Sequence, residues 1–285
     1  MFDIKALRAH IEKKFEDATV DTIPSPHIEI ADFFPQEIYD NIRKYNLFQY
    51  TAGQEWIAAK ESAKRRQATP YHQRKQVDLK QDYEAAPEAK AFWDQLRQAL
   101  FEDNFFARTV YKKYPYYFDI RFGEDAQNPD FFGALRSMMF VQRHDKGYSI
   151  GPHTDSPNRV FTCIFSFPDA AGYEKYGTEF SRPKTPGVRC YGDLHHPFED
   201  FEVVKVAPYK PNNFVLFFKT NSSFHAVREI DTDVINDRYG MQVGFYEPKG
   251  GLFNDLSKRG LLDDRTVKPM VDMKIFGKQL QIHNA

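Results

Sequence analysis

The chain has 285 residues, 41% hydrophobic and 16% aromatic, enough apolar mass for a sizeable core and too much for a globally disordered chain. Lysine plus arginine number 39 against 40 acidic residues, so a net charge of -1 provides no overall pull toward nucleic acid or an anionic membrane. The two cysteines, Cys163 and Cys190, match no zinc-binding spacing, which leaves a structural zinc site without support.

The opening MFDIKALRAHIEKKFEDA is charged throughout and lacks the apolar stretch of a secretory signal. No run in the chain approaches the roughly 20 apolar residues of a membrane span. The expectation is a soluble, cytoplasmic protein with reduced thiols.

Residues 1 to about 20 have the spacing of an amphipathic helix. His27 to Ile30 alternates like a short strand, Asp32 to Pro35 turns the chain, and Ile38, Ile42 and Tyr45 carry a second helix from Gln36. Residues 53–76 are polar and basic, with Trp56 ahead of Lys60, Lys64, Arg65, Arg66, Arg74 and Lys75. They read as a solvated helix face and loop, or as a lid or groove for an acidic substrate. A helix is predicted from Pro87 to Phe101, and a further helical piece follows it.

After about residue 115 the pattern changes to short apolar runs between turns: YYFDIRFG, RSMMFVQRH, RVFTCIFSF, FEVVKVAP, NFVLFFK and GMQVGFYEP. Many short strands predict a barrel or sandwich, and helices before strands predict an α+β fold with helices on one side of a β core. The tail from Gly250 is mixed in character.

The chemistry concentrates at His153 and Asp155, two residues apart at the mouth of the strand RVFTCIFSF. At a strand period of two, both side chains face the same way. Together they offer an imidazole nitrogen and a carboxylate oxygen to a divalent metal. The best third ligand is His225, placed after the turn-and-strand KPNNFVLFF. Two histidines and one carboxylate on one face leave positions open, the arrangement suited to non-haem Fe(II). Arg238 opens the strand RYGMQVGFYEP, where Gly240, Gln242 and Gly244 share its face. Its guanidinium can hold a carboxylate through two parallel hydrogen bonds, and the small Gly240 leaves room for a dicarboxylate. Arg228, three residues past His225, competes for that role. Arg159 is expected to support the metal loop or to contact substrate. The stretch DLHHPFED, with His195 and His196, reads as a loop bordering the substrate entrance. His72 and His144 have no partner at ligand spacing.

Over roughly residues 27–248 these motifs resemble the Fe(II)/2-oxoglutarate-dependent dioxygenase superfamily, in particular its prolyl-hydroxylase-like branch. The markers are HIEIADFFPQEIYDNI, QRHDKGYSIGPHTD, YGTEF, APYKPNNFVLFF and HAV with a following arginine. The resemblance implies a double-stranded β-helix, a jelly-roll or cupin-like barrel with N-terminal helices packed on one side. It implies one catalytic domain over 1–285, with 1–114 mainly helical, 115–250 the β-helix core and 251–285 a C-terminal extension. It implies Fe(II) on His153, Asp155 and His225, and 2-oxoglutarate anchored by Arg238. O2 would be consumed, succinate and CO2 released, and an unactivated C–H hydroxylated. With Asp155 in place, hydroxylation is expected rather than the halogenation of relatives that lack the carboxylate.

The chain departs from the pattern where relatives often carry tyrosines that hold 2-oxoglutarate. His144 stands nine residues before His153 and Ile150 stands three before it. Gln142 and Tyr148 are the candidate substitutes. The family's range leaves the substrate open: a sugar or surface glycolipid of the Kdo type, another anionic small molecule, an amino acid or a prolyl peptide. No nucleic-acid partner is expected. The other class of reading is a non-catalytic, metal- or ligand-binding cupin-like barrel.

Overall fold

Asp3 caps the first helix, its side chain accepting from the amides of Lys5 and Ala6 at 2.8 and 3.2 Å. That helix, α1, runs Ile4–Asp17 and buries Leu7, Ile11 and Phe15, one stripe at helical spacing. In the computed structural model, which describes residues 1–49, 54–55, 73–122, 126–128, 130–190, 192, 195–231 and 238–247, five further helices follow. They are α2 (Gln36–Lys44), α3 (Pro87–Phe101), α4 (Phe105–Lys113), α5 (Pro115–Phe122) and α6 (Phe131–Ala134). Trp56, Lys60, Lys64, Arg65, Arg66, His72 and the tail from Gly250 lie outside the described residues.

The strands are β1 (His27–Ile30), β2 (Gln54–Glu55), β3 (Arg74–Asp78), β4 (Arg136–His144), β5 (Ile150–His153), β6 (Arg159–Ser166), β7 (Thr178–Pro183), β8 (Phe201–Ala207), β9 (Asn213–Phe218), β10 (His225–Val227) and β11 (Arg238–Tyr246). They form two sheets. One has seven strands in the order β1-β9-β6-β11-β4-β3-β2, and the other has four in the order β5-β10-β7-β8. Every pair is antiparallel.

Strand alternation sorts the large sheet into two faces. Phe214, Leu216 and Phe218 of β9, Phe161, Cys163 and Phe165 of β6, and Tyr239, Met241, Val243 and Phe245 of β11 are buried in one cluster with the apolar stripes of α1 to α5. The alternate positions look the other way. Val215 and Phe217 pack on Phe180 and Ala207 of the small sheet. Further along, the same inner face carries polar side chains and borders a cavity. The helices therefore cover one face of the large sheet, and the small sheet covers the other, an α+β arrangement.

Two features seat the strands beside the cavity. Asn212 takes a left-handed φ of 53° before β9. Its side chain accepts from the Phe34 amide at 2.9 Å and donates to the Phe34 carbonyl at 2.8 Å. The Pro-Asn turn is thereby tied to the loop between β1 and α2. On β11, a Cβ at Gly240 would come within 2.6 Å of the Phe165 carbonyl. Gly240 is needed first for the close approach of β6, although it also lines the cavity.

Two expectations are corrected. YYFDIRF is helical: α5 opens with Pro115, and Tyr114, Tyr117, Phe118 and Arg121 are buried at the i, i+3, i+4, i+7 spacing of a helix face. The aromatic content, which favours strands, misled. The basic stretch is not all helix and loop either. Arg74–Asp78 is a strand paired with β4, Arg74 opposite His144 and Gln76 opposite Gln142. Its inward positions are polar because they face a cavity, so the apolar alternation of a strand is missing. Cys163 and Cys190 are both buried and form no disulfide. Among the described residues, no helix is long and apolar enough to cross a membrane.

Candidate active site

The cavity lies between the two sheets and has a volume of about 420 Å³. At its wall β5 and β10 pair so that His225 stands opposite His153, their ring centroids 4.3 Å apart. Asp155, just past β5, brings an oxygen to 3.9 Å from His225 Nε2. One ligand atom from each of His153, Asp155 and His225 falls within 4.8 Å of the others. The three residues singled out in the sequence are thus brought together.

The hydrogen bonds set which nitrogen each histidine offers. His153 Nδ1 lies 2.9 Å from the Gly151 carbonyl, and His225 Nδ1 lies 3.1 Å from the Ser223 carbonyl. A carbonyl only accepts, so each Nδ1 carries the proton and each Nε2 keeps its lone pair for a metal. Burial holds both imidazoles below their ordinary pKa, His153 well below it with His225 and His195 adding to the effect. Burial would raise the Asp155 carboxyl, but Arg159, His225 and a hydrogen bond from the Thr162 hydroxyl together bring it below its ordinary value. Neutral imidazoles and an ionised carboxylate are the forms that ligate.

The loop that carries His153 and Asp155 is fixed from beneath and from behind. Thr154, between these two residues, donates to the Cys190 carbonyl at 2.7 Å and accepts from the buried Lys219 ammonium at 2.9 Å. Arg121 of α5 donates to the carbonyls of Pro157 and Arg159 and pairs with Glu247 at 2.8 Å.

At another part of the cavity Arg238 is buried. Its Nε donates to the Tyr176 carbonyl at 2.9 Å, and its Nη1 donates to His144 Nδ1 at 2.8 Å. A guanidinium has no acceptor, so neutral His144 carries its proton on Nε2. That atom is buried and has no hydrogen-bond partner among the described residues. His144 is stacked on Tyr148 at 4.0 Å and 5°. Gln242 accepts from Gln142 at 2.9 Å and from Arg74 at 3.0 Å, both within the cavity wall. Gln142, Tyr148 and Gly240 line the cavity as well.

The remaining expected residues divide. His195 lines the cavity with its ring 4.6 Å from that of His153. His196 does not; it packs edge-on against Phe224 at 5.7 Å, in a small cluster with Phe201 and Cys190. Arg228 is about half exposed, paired with Glu179 through two hydrogen bonds of 3.0 and 3.1 Å, and is absent from the cavity lining. Arg159 lines the cavity beside Asp155. Sequence reasoning missed Gln76 and Tyr209, read Arg74 only within a basic stretch and His144 only as a departure from the family pattern; all four line the cavity. For His144 a signal was present: it replaces a tyrosine expected to hold 2-oxoglutarate, and the substitution keeps a hydrogen-bond donor.

No family model matches the chain, and no curated protein matches it. Solved structures do. A prolyl 4-hydroxylase from Phytophthora capsici is 15% identical with a TM-score of 0.45, over 100% of this chain and 84% of that one. A prolyl-4-hydroxylase from Pseudomonas putida is 10% identical with a TM-score of 0.42, over 84% and 99%. The non-heme alpha-ketoglutarate-dependent epimerase SnoN from nogalamycin biosynthesis is 12% identical with a TM-score of 0.45, over 89% and 90%. With every score below one half, these likenesses decide neither the fold nor the reaction.

Proposed function

We propose that this chain is an Fe(II)- and 2-oxoglutarate-dependent oxygenase, with hydroxylation of a small molecule as its reaction. The observation that carries the reading is the convergence of His153, Asp155 and His225 on one side of a cavity whose other polar groups suit a carboxylate. The paired sheets with a ligand set between them fit the expected double-stranded β-helix. The site is also chemically fit for the metal: two Nε2 lone pairs and one carboxylate, each oriented by a hydrogen bond, occupy one face and leave the other open.

If bound, the iron would activate O2, which is the oxidant, and 2-oxoglutarate would give two electrons to it and leave as succinate and CO2. The chain's own residues position and shield. Arg238, clamped by Tyr176 and His144, presents its remaining donors to the far carboxylate of 2-oxoglutarate. His144 Nε2–H and Tyr148 take the place of the tyrosines expected there, and Gln142 holds Gln242 in position. Phe140, Ile164 and Phe217 give the cavity an apolar wall that excludes water from the reacting centre.

Arg238→Gln tests the assignment of the cosubstrate pocket. A charge-assisted hydrogen bond is worth about 1.5–3 kcal/mol, so the Kd for 2-oxoglutarate, read by calorimetry on the Ni(II)-loaded protein, should rise by roughly 10- to 150-fold. Arg228→Gln should leave it unchanged. The reverse result would move the anchor to Arg228, and no effect from either would remove 2-oxoglutarate from this cavity.

A further inference from the structure

Arg159 opens β6 and is 6% exposed. Its guanidinium lies over the Tyr246 ring, 4.0 Å from the centroid, and its Nε is 3.9 Å from Asp155 Oδ2. It occupies space that no side chain can share: a Cβ at Gly244 would fall 1.5 Å from Nη1. Gly244 thus serves as a floor for the guanidinium. Yet Nε and Nη1 are buried and make no hydrogen bond among the described residues. A buried donor left unsatisfied is costly, and a charged one more so, so a cradle of this kind suits an acceptor that comes from outside the chain.

Asp155 does not fill that need: at 3.9 Å its Oδ2 offsets the charge of Arg159 but is too far to accept a hydrogen bond from Nε. Asp155 is the sole carboxylate among the described lining residues, against the guanidinium groups of Arg74, Arg159 and Arg238. A divalent metal adds to that positive charge, and one dicarboxylate with Asp155 does not offset the whole. Arg238 and Arg159 are also far apart along the wall: on β11, Arg238 is at one end, while Tyr246, opposite Arg159, is at the other. One small dicarboxylate on the metal and Arg238 would leave Arg159 for something else.

We propose that Arg159, cradled by Gly244 and Tyr246, anchors an oxyanion of the substrate, so that the enzyme acts on a small acid. This rests on the oxygenase reading of the cavity and adds the substrate's chemical class. A carboxylate and a sulfate- or phosphate-type group share the needed chemistry, and the test separates them.

The protein is loaded with Ni(II) and 2-oxoglutarate, then titrated calorimetrically with sodium acetate and, separately, sodium sulfate. Wild type should bind at least one of them. Arg159→Gln and Gly244→Ala should each weaken that binding by about 10-fold or more, and Arg159→Lys by less. Arg182→Gln, on the exposed pair with Glu202, is the control and should change nothing. Stronger binding of acetate assigns a carboxylate; stronger binding of sulfate assigns a sulfate- or phosphate-type group. Equal affinities in wild type and Arg159→Gln, or no anion bound by wild type, would overturn the inference. A loss confined to Ni(II) affinity would make Arg159 a support for Asp155 only, and a loss confined to 2-oxoglutarate affinity would give it to the cosubstrate; both overturn it. Failure of wild type to bind 2-oxoglutarate would sink the oxygenase reading instead, and the anion titration on Ni(II)-loaded protein would still read Arg159 separately.

Discussion

Asp155→Ala should abolish 2-oxoglutarate-dependent oxidation while leaving the fold in place. Residues that only orient metal ligands alter affinity or activity by about 10- to 100-fold, and removing a ligand itself should exceed the upper figure. Asp155 is the group on which three features of the site converge: it faces His225, accepts from Thr162 and lies beside Arg159. It stands in the cavity wall, outside the apolar clusters that hold the sheets together. Circular dichroism should therefore stay close to wild type as succinate production is lost, while the melting temperature falls because buried Arg159 loses the carboxylate beside it. Normal turnover by this variant would remove Asp155 from the metal site.

Arg121→Met should cause the larger loss of stability. Arg121 and Glu247 have side-chain exposures of only 1% and 3%, and one Glu247 oxygen accepts from both Nε and Nη2, at 2.9 and 2.8 Å. Removing one partner strands a buried charge, at a cost of about 3–5 kcal/mol. For a chain of this size that corresponds to a fall in Tm of about 5–8 °C. Because Arg121 also holds the carbonyls of Pro157 and Arg159, metal affinity should fall with it. Adding Glu247→Leu removes the stranded carboxylate and should recover part of the stability, leaving the deficit of the two unsatisfied carbonyls. Urea titrations of the single and double variants check this; a loss below about 1 kcal/mol in Arg121→Met would show that the pair contributes little.

How far these features could be read from the chain follows from how local each one is. His153 closes β5 and Asp155 lies just past its end, so the pair was legible from its spacing of two, although the loop beyond the strand is what places Asp155. His225 required recognition of a second strand end, which the Pro-Asn turn supplied. Arg238 and its glycines announced themselves by alternation along one strand. The helices α1 to α3 were legible because their buried residues repeat at helical spacing.

What escaped depends on pairing across the chain. Arg74 and Gln76 lie in a run that reads as solvated, and only the pairing of β3 with β4 turns them toward the cavity. His144 gains its tautomer from Arg238, a partner set by strand register. The same holds for Arg121 and Glu247, joined from α5 to the end of β11. Gly244 looked like one more small residue beside Arg238, and the reason for it appears only once Arg159 lies across it. Nor could the sequence separate His195 from His196, because adjacent loop residues diverge only when the loop is packed.

The central claim is that His153, Asp155 and His225 hold Fe(II) with positions left open for 2-oxoglutarate. Its most direct test is an anaerobic titration of the purified protein with Fe(II) and then 2-oxoglutarate, following the weak visible charge-transfer band that chelation of a 2-keto acid at an open iron site produces. The expected result is a saturable band in wild type that is lost in His225→Ala. A folded, Fe(II)-loaded wild type that gives no band on saturation with 2-oxoglutarate would contradict the claim and leave a metal-binding barrel of another kind.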